Sequence, residues 1–503
     1  MKKAQVSSSA KKLSMHVESV SSSKEAKSNP IGNIIALGET IVKEPHMKPH
    51  AESHVDSHVE QNVETSVPTP SEPQAEPPSK PAVNIHVNEI LDDASKDLRN
   101  ENPQNEKVSS KSVSHPPKPD LVVLPVYQHP STGLHWTNIH KRTPITHVPV
   151  LIDLNGKHLW VNCEQHYSSS TYQAPFCHST QCSRANAQTC LNNTCVLIST
   201  NPITQQTATG KLAQDVLAIY ATSGSKPGPM VTVPQFLFSC APSSLAQNGL
   251  PNYLQGVAGL GHSPISLQNQ IFSNFGLQHQ FSACLSRNPK SNGGILFGDA
   301  PNNYNKNPNI FKHLVYTPLT VTQQGEYRIQ VTSIRINKHS AIPVSASISS
   351  NNPEGVIGGT LISTTIPYTT LHHTIYQALI QTVSAQIPKQ AQVNPVAPFG
   401  LCYDPNRISL PLLVEFVLDK PDVAWTIDVE NLWVVQPNGV HCLGFVNGGL
   451  KPKAVISIGT HQLEENVLAF DLVKSRLGFN NFLRFFEKKG INCSDLFDFT
   501  NAP

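Results

Sequence analysis

Residues 149–163 read PVLIDLNGKHLWVNC, and this stretch decides the fold. An apolar, β-branched run ends in an acidic turn at Asp153, Leu154, Asn155 and Gly156, then resumes as a second apolar run around Trp160. Two such runs joined by a polar turn describe a pair of strands with the acid presented at the bend. Outward from it the same texture continues. Short β-branched or alternating runs cover 121–126, 147–154, 159–162, 216–219, 231–240, 294–297, 328–336, 423–429, 432–435, 455–458 and 467–472, separated by Pro, Gly, Asn and Ser clusters. Many short strands with turn punctuation predict an all-β body. Helical periodicity is confined to 266–275 and to 370–386, where Leu371, Ile375, Leu379 and Val383 recur at intervals of four. The 385 residues from 119 onward are too many for one hydrophobic core, so two lobes are expected.

Upstream of position 119 the polymer is different. None of the 33 aromatic residues and none of the ten cysteines precedes Tyr127. Residues 1–118 hold 14 Lys+Arg, 16 Asp+Glu, 12 Pro and 7 His. So little apolar side chain cannot offset an ordering entropy of about 1–2 kcal/mol per residue, and a disordered polar extension is predicted. His46, His50, His54 and His58 recur every four residues there, but Pro45 and Pro49 break the helix that would align them. The tract reads as solvated, and no metal site is expected. With 37 Lys+Arg against 35 Asp+Glu, the net charge of +2 supplies no field for nucleic acid. No stretch approaches the ~20 apolar residues of a membrane-spanning helix.

Ten cysteines, all within the folded portion, fit five disulfides and an oxidising compartment. A secretory leader needs roughly 7–15 consecutive apolar residues, whereas residues 1–20 are mostly polar and the run at 34–42 is interrupted by Gly38, Glu39 and Thr40. The cysteines outweigh the missing leader, and export is expected. The polar stretch SASISSNNPE at 345–354 is a natural site of proteolytic nicking. Sequons fall at Asn192 and Asn492. Asn192, in the polar CLNNTC loop, is the expected glycosylation site, because the second sequon contains Cys493, which competes for disulfide formation.

The layout of 149–163 resembles the first active-site segment of the pepsin-like aspartic proteases, where a strand delivers an Asp-Thr-Gly-Ser loop ahead of Leu-Trp-Val. Aligned without gaps, Asp153 takes the place of the first catalytic aspartate, and Leu154, Asn155 and Gly156 replace Thr, Gly and Ser. The family's second segment, typically GGTIIDSGTTFTYL, is matched by GGTLISTTIPYTTL at 358–371, which puts Ser363 at the second aspartate. GLGHSPISLQNQ from Gly259, FSACLS from Phe281, ILFGD from Ile295 and SIGTHQLEENVLAFDLVKSRLGF from Ser457 follow in family order. The resemblance implies an all-β, bilobal fold with a few short helices, an N-lobe over 119–325 and a C-lobe over 326–503, and no cofactor.

It also implies a loss of chemistry. An aspartic protease works because two carboxylates about 3 Å apart cannot both ionise, so one donates a proton while the other activates water. A serine hydroxyl neither titrates near neutrality nor raises the pKa of Asp153 by repulsion. Asn155 adds a side chain where the family keeps backbone close to substrate, and the flap stretch ITQQTATGKL from Ile203 lacks the family's tyrosine. A working aspartic endopeptidase is therefore the reading that these substitutions oppose. Asp153 is expected to act as a turn acid accepting main-chain N–H bonds.

Pepsin-like chains disabled in this way form a plant group that includes extracellular dermal glycoproteins, inhibitors of xylanases and xyloglucanases, and legume basic 7S globulins. Here LVVLPVYQHPSTGLHWTNIHKRTP from Leu121, QFLFSCAPSSLAQ from Gln235, KQAQVNPVAPFGLCYD from Lys389 and HQLEENVLAFDL from His461 are most similar to the γ-conglutin branch of the legume globulins. That likeness implies a non-catalytic, secreted or seed-stored globulin of storage or defence, nicked and assembled into homo-oligomers, with a protein or peptide as a candidate ligand. It also implies a Cys402–Cys442 disulfide and a further bridge tying the C-terminal piece to the N-lobe, while the shortened CLNNTC loop leaves the partners of Cys190 and Cys195 open. The alternative is inhibition of cell-wall glycoside hydrolases. Inhibitory relatives set basic residues on two C-lobe loops, at positions that align with Gln392 and Lys453; a neutral amide loses the ion pair, and a lysine lacks arginine's planar fork.

Overall fold

The computed structural model describes residues 118–164, 167–224, 226–304, 311, 313–344, 359–409, 411–480, 492–497 and 499. The expected polar extension up to residue 117, its histidine tract and the nicking stretch at 345–354 lie outside them. Among the described residues, strands dominate and assemble into sheets of fourteen, six, four and four strands, with a few short helices on their faces.

The segment around Asp153 forms the anticipated strand pair. Thr146–Asp153 pairs antiparallel with His135–Lys141 and parallel with Gly256–Gly259, and after the turn Trp160–Asn162 pairs with the other edge of Gly256–Gly259. The acid therefore sits where one strand ends against a third strand threaded between the two arms. The same arrangement recurs in the second half. Thr360–Ile362 lies parallel to Ile456–Ile458, and Thr369–Leu371 returns antiparallel along the opposite edge of that strand. Asp153 and Ser363 are placed by equivalent bends.

The halves share one sheet. Val467–Asp471 pairs antiparallel with Gln280–Cys284, so residues from near the C-terminus complete a sheet whose remaining strands come largely from 121–297. Phe281 stacks on Phe470 at 4.5 Å between ring centroids, and both are fully buried. At the same corner Cys284 is bonded to Cys493, across a sequence separation of 209. A bridge closing so long a loop restricts the unfolded chain strongly.

Two elements differ from the sequence reading. The helix expected over 370–386 spans His373–Ser384, burying Ile375, Leu379 and Val383, while Leu371 belongs to a strand. Pairing of Thr369–Leu371 with Phe445–Asn447 and with Ser457 and Ile456 satisfies its main chain, which overrides a periodicity that runs straight through the boundary. The run at 328–336 is two strands, Tyr327–Ile329 and Ser333–Ile336, in different sheets. The helix Leu267–Phe275 ends at Gly276, whose φ of +71° is the left-handed cap that glycine adopts without strain.

Close backbone approach sets both bends. A Cβ on Gly259 would fall inside the van der Waals shell of Gly156 O, and one on Gly459 would lie 2.5 Å from the Tyr368 carbonyl carbon. Backbone on both sides leaves nothing flexible to yield. Gly259→Ala is expected to destabilise the protein by about 1–3 kcal/mol, the usual cost of overpacking, read as a fall in the denaturant midpoint at unchanged m-value.

Candidate functional site

The two bends meet through hydrogen bonds that cross some two hundred residues of chain. Thr364 Oγ1 donates to Ile152 O at 2.8 Å and accepts from Leu154 N at 3.1 Å, clasping the residues on either side of Asp153. From the other side, Asn155 Nδ2 donates to Ile362 O at 2.8 Å, beside Ser363, and Asn155 Oδ1 accepts from Tyr327 N at 3.2 Å. The side chain of Asn155 thus joins the two halves, an outcome different from the expected intrusion on substrate space. Leu154 has no group with which to repeat what Thr364 does, and the longer amide of its neighbour reaches across instead.

Asp153 is 8% exposed and Ser363 3%. Asp153 Oδ1 accepts from Asn155 N at 2.9 Å, the geometry of an acid closing its own turn. Ser363 Oγ lies 3.0 Å from Thr365 Oγ1 and accepts from Thr365 N at 3.2 Å, so that hydroxyl closes the equivalent turn. Burial pushes the Asp153 carboxyl up to about 6, opposed by the Asn155 hydrogen bond and the positive charge of Lys453, with Glu326 adding to the rise.

Glu326 is a buried carboxylate that the sequence reading did not single out. Its Oε1 is 2.5 Å from Lys453 Nζ and its Oε2 3.0 Å from Arg328. Burial works to raise its pKa, but the hydrogen bonds and charges of Lys453 and Arg328 hold it below the usual carboxylate range. An acid held ionised by two cations cannot share a proton with a neighbour as a catalytic pair must. The available signal was the alternation in Glu326-Tyr327-Arg328, two opposite charges on one face of a short apolar strand.

Lys453, expected on an inhibitor-like loop, is thereby drawn into an ion pair with its own chain, although its side chain is 62% exposed. Gln392 is half-buried, and its Nε2 donates to Ser384 O at 3.0 Å and Ile387 O at 2.8 Å, tying down the end of the helix His373–Ser384. The structure does not bring Gln392 and Lys453 to a shared contact. The flap-like stretch is the turn between the strands Thr194–Thr200 and Thr207–Thr222, held by Asn201, whose amide donates to Leu245 O at 2.9 Å and Asn248 O at 2.7 Å.

All ten cysteines are paired: Cys163–Cys240, Cys177–Cys190, Cys182–Cys195, Cys284–Cys493 and Cys402–Cys442. Asn192 is exposed at the tip of a two-residue hairpin with Asn193, at φ of +49° and +58°, which are the left-handed values of such a turn. The Asn492 amide instead caps the helix Cys493–Leu496, accepting from Asp495 N at 3.2 Å.

Comparison with known proteins agrees with this geometry. Residues 135–299 match the family model described as xylanase inhibitor N-terminal, and residues 326–481 the one described as xylanase inhibitor C-terminal. Gamma conglutin 2 of Lupinus angustifolius is 57% identical over 406 residues, covering 76% of this chain and 91% of the relative. The crystal structure of basic 7S globulin from soybean superposes with a TM-score of 0.70 at 56% identity, covering 76% of this chain and 100% of that one. The aspartic proteinase of Irpex lacteus, at 14% identity and a TM-score of 0.50 over 71% of this chain and 96% of its own, shares the fold. The chain belongs to the basic 7S globulin and γ-conglutin family, within the xylanase-inhibitor-like branch of the pepsin-like aspartic peptidase fold.

Proposed function

We propose that this protein is a non-catalytic seed globulin of storage or defence, exported to an oxidising compartment and assembled into homo-oligomers. The observation that carries the reading is the pairing across the two bends: Asp153 faces a half whose equivalent bend offers Ser363, and the nearby Glu326 is bound by Lys453 and Arg328. In this reading Ser363 stands where the second catalytic aspartate of the fold would be, and Asp153 is a remnant that serves its turn. Five disulfides and the likeness to a basic 7S globulin from lupine seeds support the compartment. The exposed hairpin tip supports glycosylation at Asn192.

A second reading, inhibition of a cell-wall glycoside hydrolase, is favoured by the two matched domain descriptions. The side chains at the aligned positions weigh against it. Gln392 spends its amide hydrogens on its own backbone, and Lys453 would have to leave Glu326 to reach a foreign carboxylate.

Three measurements test these readings. Casein incubated with the protein in mild acid should remain intact; cleavage abolished by pepstatin would overturn the non-catalytic assignment. A fungal xylanase or xyloglucanase should keep its activity in the presence of micromolar protein, and tight inhibition would promote the second reading. Asp153→Asn reports on the remnant acid. The folded-state pKa of about 6 lies above the ordinary aspartate value of 3.8, so the stabilising contribution of the protonated acid is complete below pH 4 and is lost as pH rises through 6. Relative to wild type, the variant should therefore gain stability between pH 4 and 7.5, by up to about 3 kcal/mol in chemical denaturation. A pH-independent difference would show that Asp153 is not buried in the way described.

A further inference from the structure

At one edge of the fourteen-stranded sheet two disulfides lie side by side. The edge strand Thr189–Leu191 and its neighbour Thr194–Thr200 form a hairpin that places Cys190 directly opposite Cys195. The two are not bonded to each other. Cys190 is joined to Cys177 and Cys195 to Cys182, each across a sequence separation of 13. The sulfurs of Cys177, Cys190 and Cys195 nevertheless all lie within 4.8 Å of one another. Directly opposed residues of an antiparallel pair have Cα atoms about 4.5–5.5 Å apart, within the span that a disulfide bridges. The hairpin therefore has room for a Cys190–Cys195 bond as well as for the pairing it holds.

The two bridges differ in access. Cys190 is exposed, alone among the ten cysteines, and Cys177 is half-buried, whereas Cys182 is 2% and Cys195 1% exposed. A reductant in solution reaches the outer bridge and not the inner one. Both bridges start from the segment 177–188, which carries the short helix Thr180–Arg184. Apart from its cysteines, the apolar side chains of that segment are Ala185 and Ala187, only partly buried against the cluster around Leu212 and Leu237. Cavities of about 350 and 420 Å³ flank it, one lined by Thr180, Gln181 and Arg184, the other by residues 185–189. So little buried apolar surface leaves the two disulfides as the main anchors of the segment.

We propose that Cys177, Cys182, Cys190 and Cys195 form a disulfide-exchange site whose substrate is an external dithiol. One thiolate of the dithiol attacks Cys177 Sγ, breaking the Cys177–Cys190 bond and expelling the Cys190 thiolate. The second thiolate attacks the reductant sulfur of that mixed disulfide, so the reductant leaves as a disulfide and Cys177 is released as a thiolate. Cys190 Sγ then attacks Cys195 Sγ. A Cys190–Cys195 bond forms, the Cys182–Cys195 bond breaks, and Cys182 departs as a thiolate. Cys177 and Cys182 take protons from water. The net change is one dithiol oxidised and one protein disulfide reduced. The rearranged bridge closes a shorter loop than either native one, at a lower cost in chain entropy. It keeps the hairpin pinned and frees the segment 177–188 from both of its anchors.

The test is partial reduction of the whole folded protein with substoichiometric dithiothreitol, followed by acid quenching, thiol alkylation and peptide mapping without further reduction. Alkyl groups are expected on Cys177 and Cys182, with the peptide that holds Cys190 and Cys195 bridged internally. The double variant Cys177→Ser with Cys190→Ser lacks the internal attacker. In excess dithiothreitol its Cys182–Cys195 bridge should be lost at least about tenfold more slowly than in wild type, because an attacking group held in place acts at a high effective concentration. The proposal fails if the alkyl groups sit on Cys177 and Cys190, or if both bridges are lost together with no Cys190–Cys195 linkage. It fails equally if Cys163–Cys240, Cys284–Cys493 or Cys402–Cys442 opens first, or if the folded double variant loses Cys182–Cys195 as fast as wild type or faster. Where that variant does not fold, the wild-type map alone decides.

Discussion

The structure depends on the clasp between its two bends. Thr364 holds the main chain on both sides of Asp153, and Asn155 returns the contact beside Ser363 and at Tyr327. The Thr364 bonds are buried and the Asn155 bonds partly so, and breaking the former would leave desolvated, unpaired main-chain groups in a low-dielectric interior. In an active enzyme such a clasp would align two acids. Here the same registration is kept with an acid at one bend and a hydroxyl at the other, which separates the clasp from the side chains the bends present.

Electrostatics around the bends completes that separation. A buried aspartate with a raised pKa is ordinarily a sign of function, because active sites are where burial and like charge are combined. The nearby carboxylate, Glu326, does contribute like charge, but Lys453 and Arg328 hold it ionised. The rise at Asp153 is then chiefly a burial effect. Lys453, although its side chain is 62% exposed, is held by that ion pair with its own chain.

Much of the architecture was legible in the chain. Strand texture from Leu121, the bend at Asp153 and the helix at Leu267–Phe275 follow from local pattern, because alternation, turn residues and caps act over a few positions, whereas the bend at Ser363 was legible only through the family resemblance. The errors arose where distant pairing decides. Leu371 shares a helical period with Ile375 yet is a strand, since Phe445–Asn447 and Ile456 lie beside it. The role of Asn155 was misjudged because the carbonyl it meets belongs to Ile362, and Glu326 was passed over because its partner Lys453 stands far along the chain.

By itself the sequence determined the fold class and the family likeness, since these reside in residue identity and short-range spacing. Only the tertiary structure decided the partners of Cys190 and Cys195, that Gln392 and Lys453 are occupied by their own chain, and that a cavity lined by Tyr368, Tyr403 and Trp433 lies between early and late segments. The physical reason is range. Hydrogen bonds, ion pairs and cavities are set by distances of a few ångströms between groups whose separation along the chain is hundreds of residues, and no local pattern encodes that meeting.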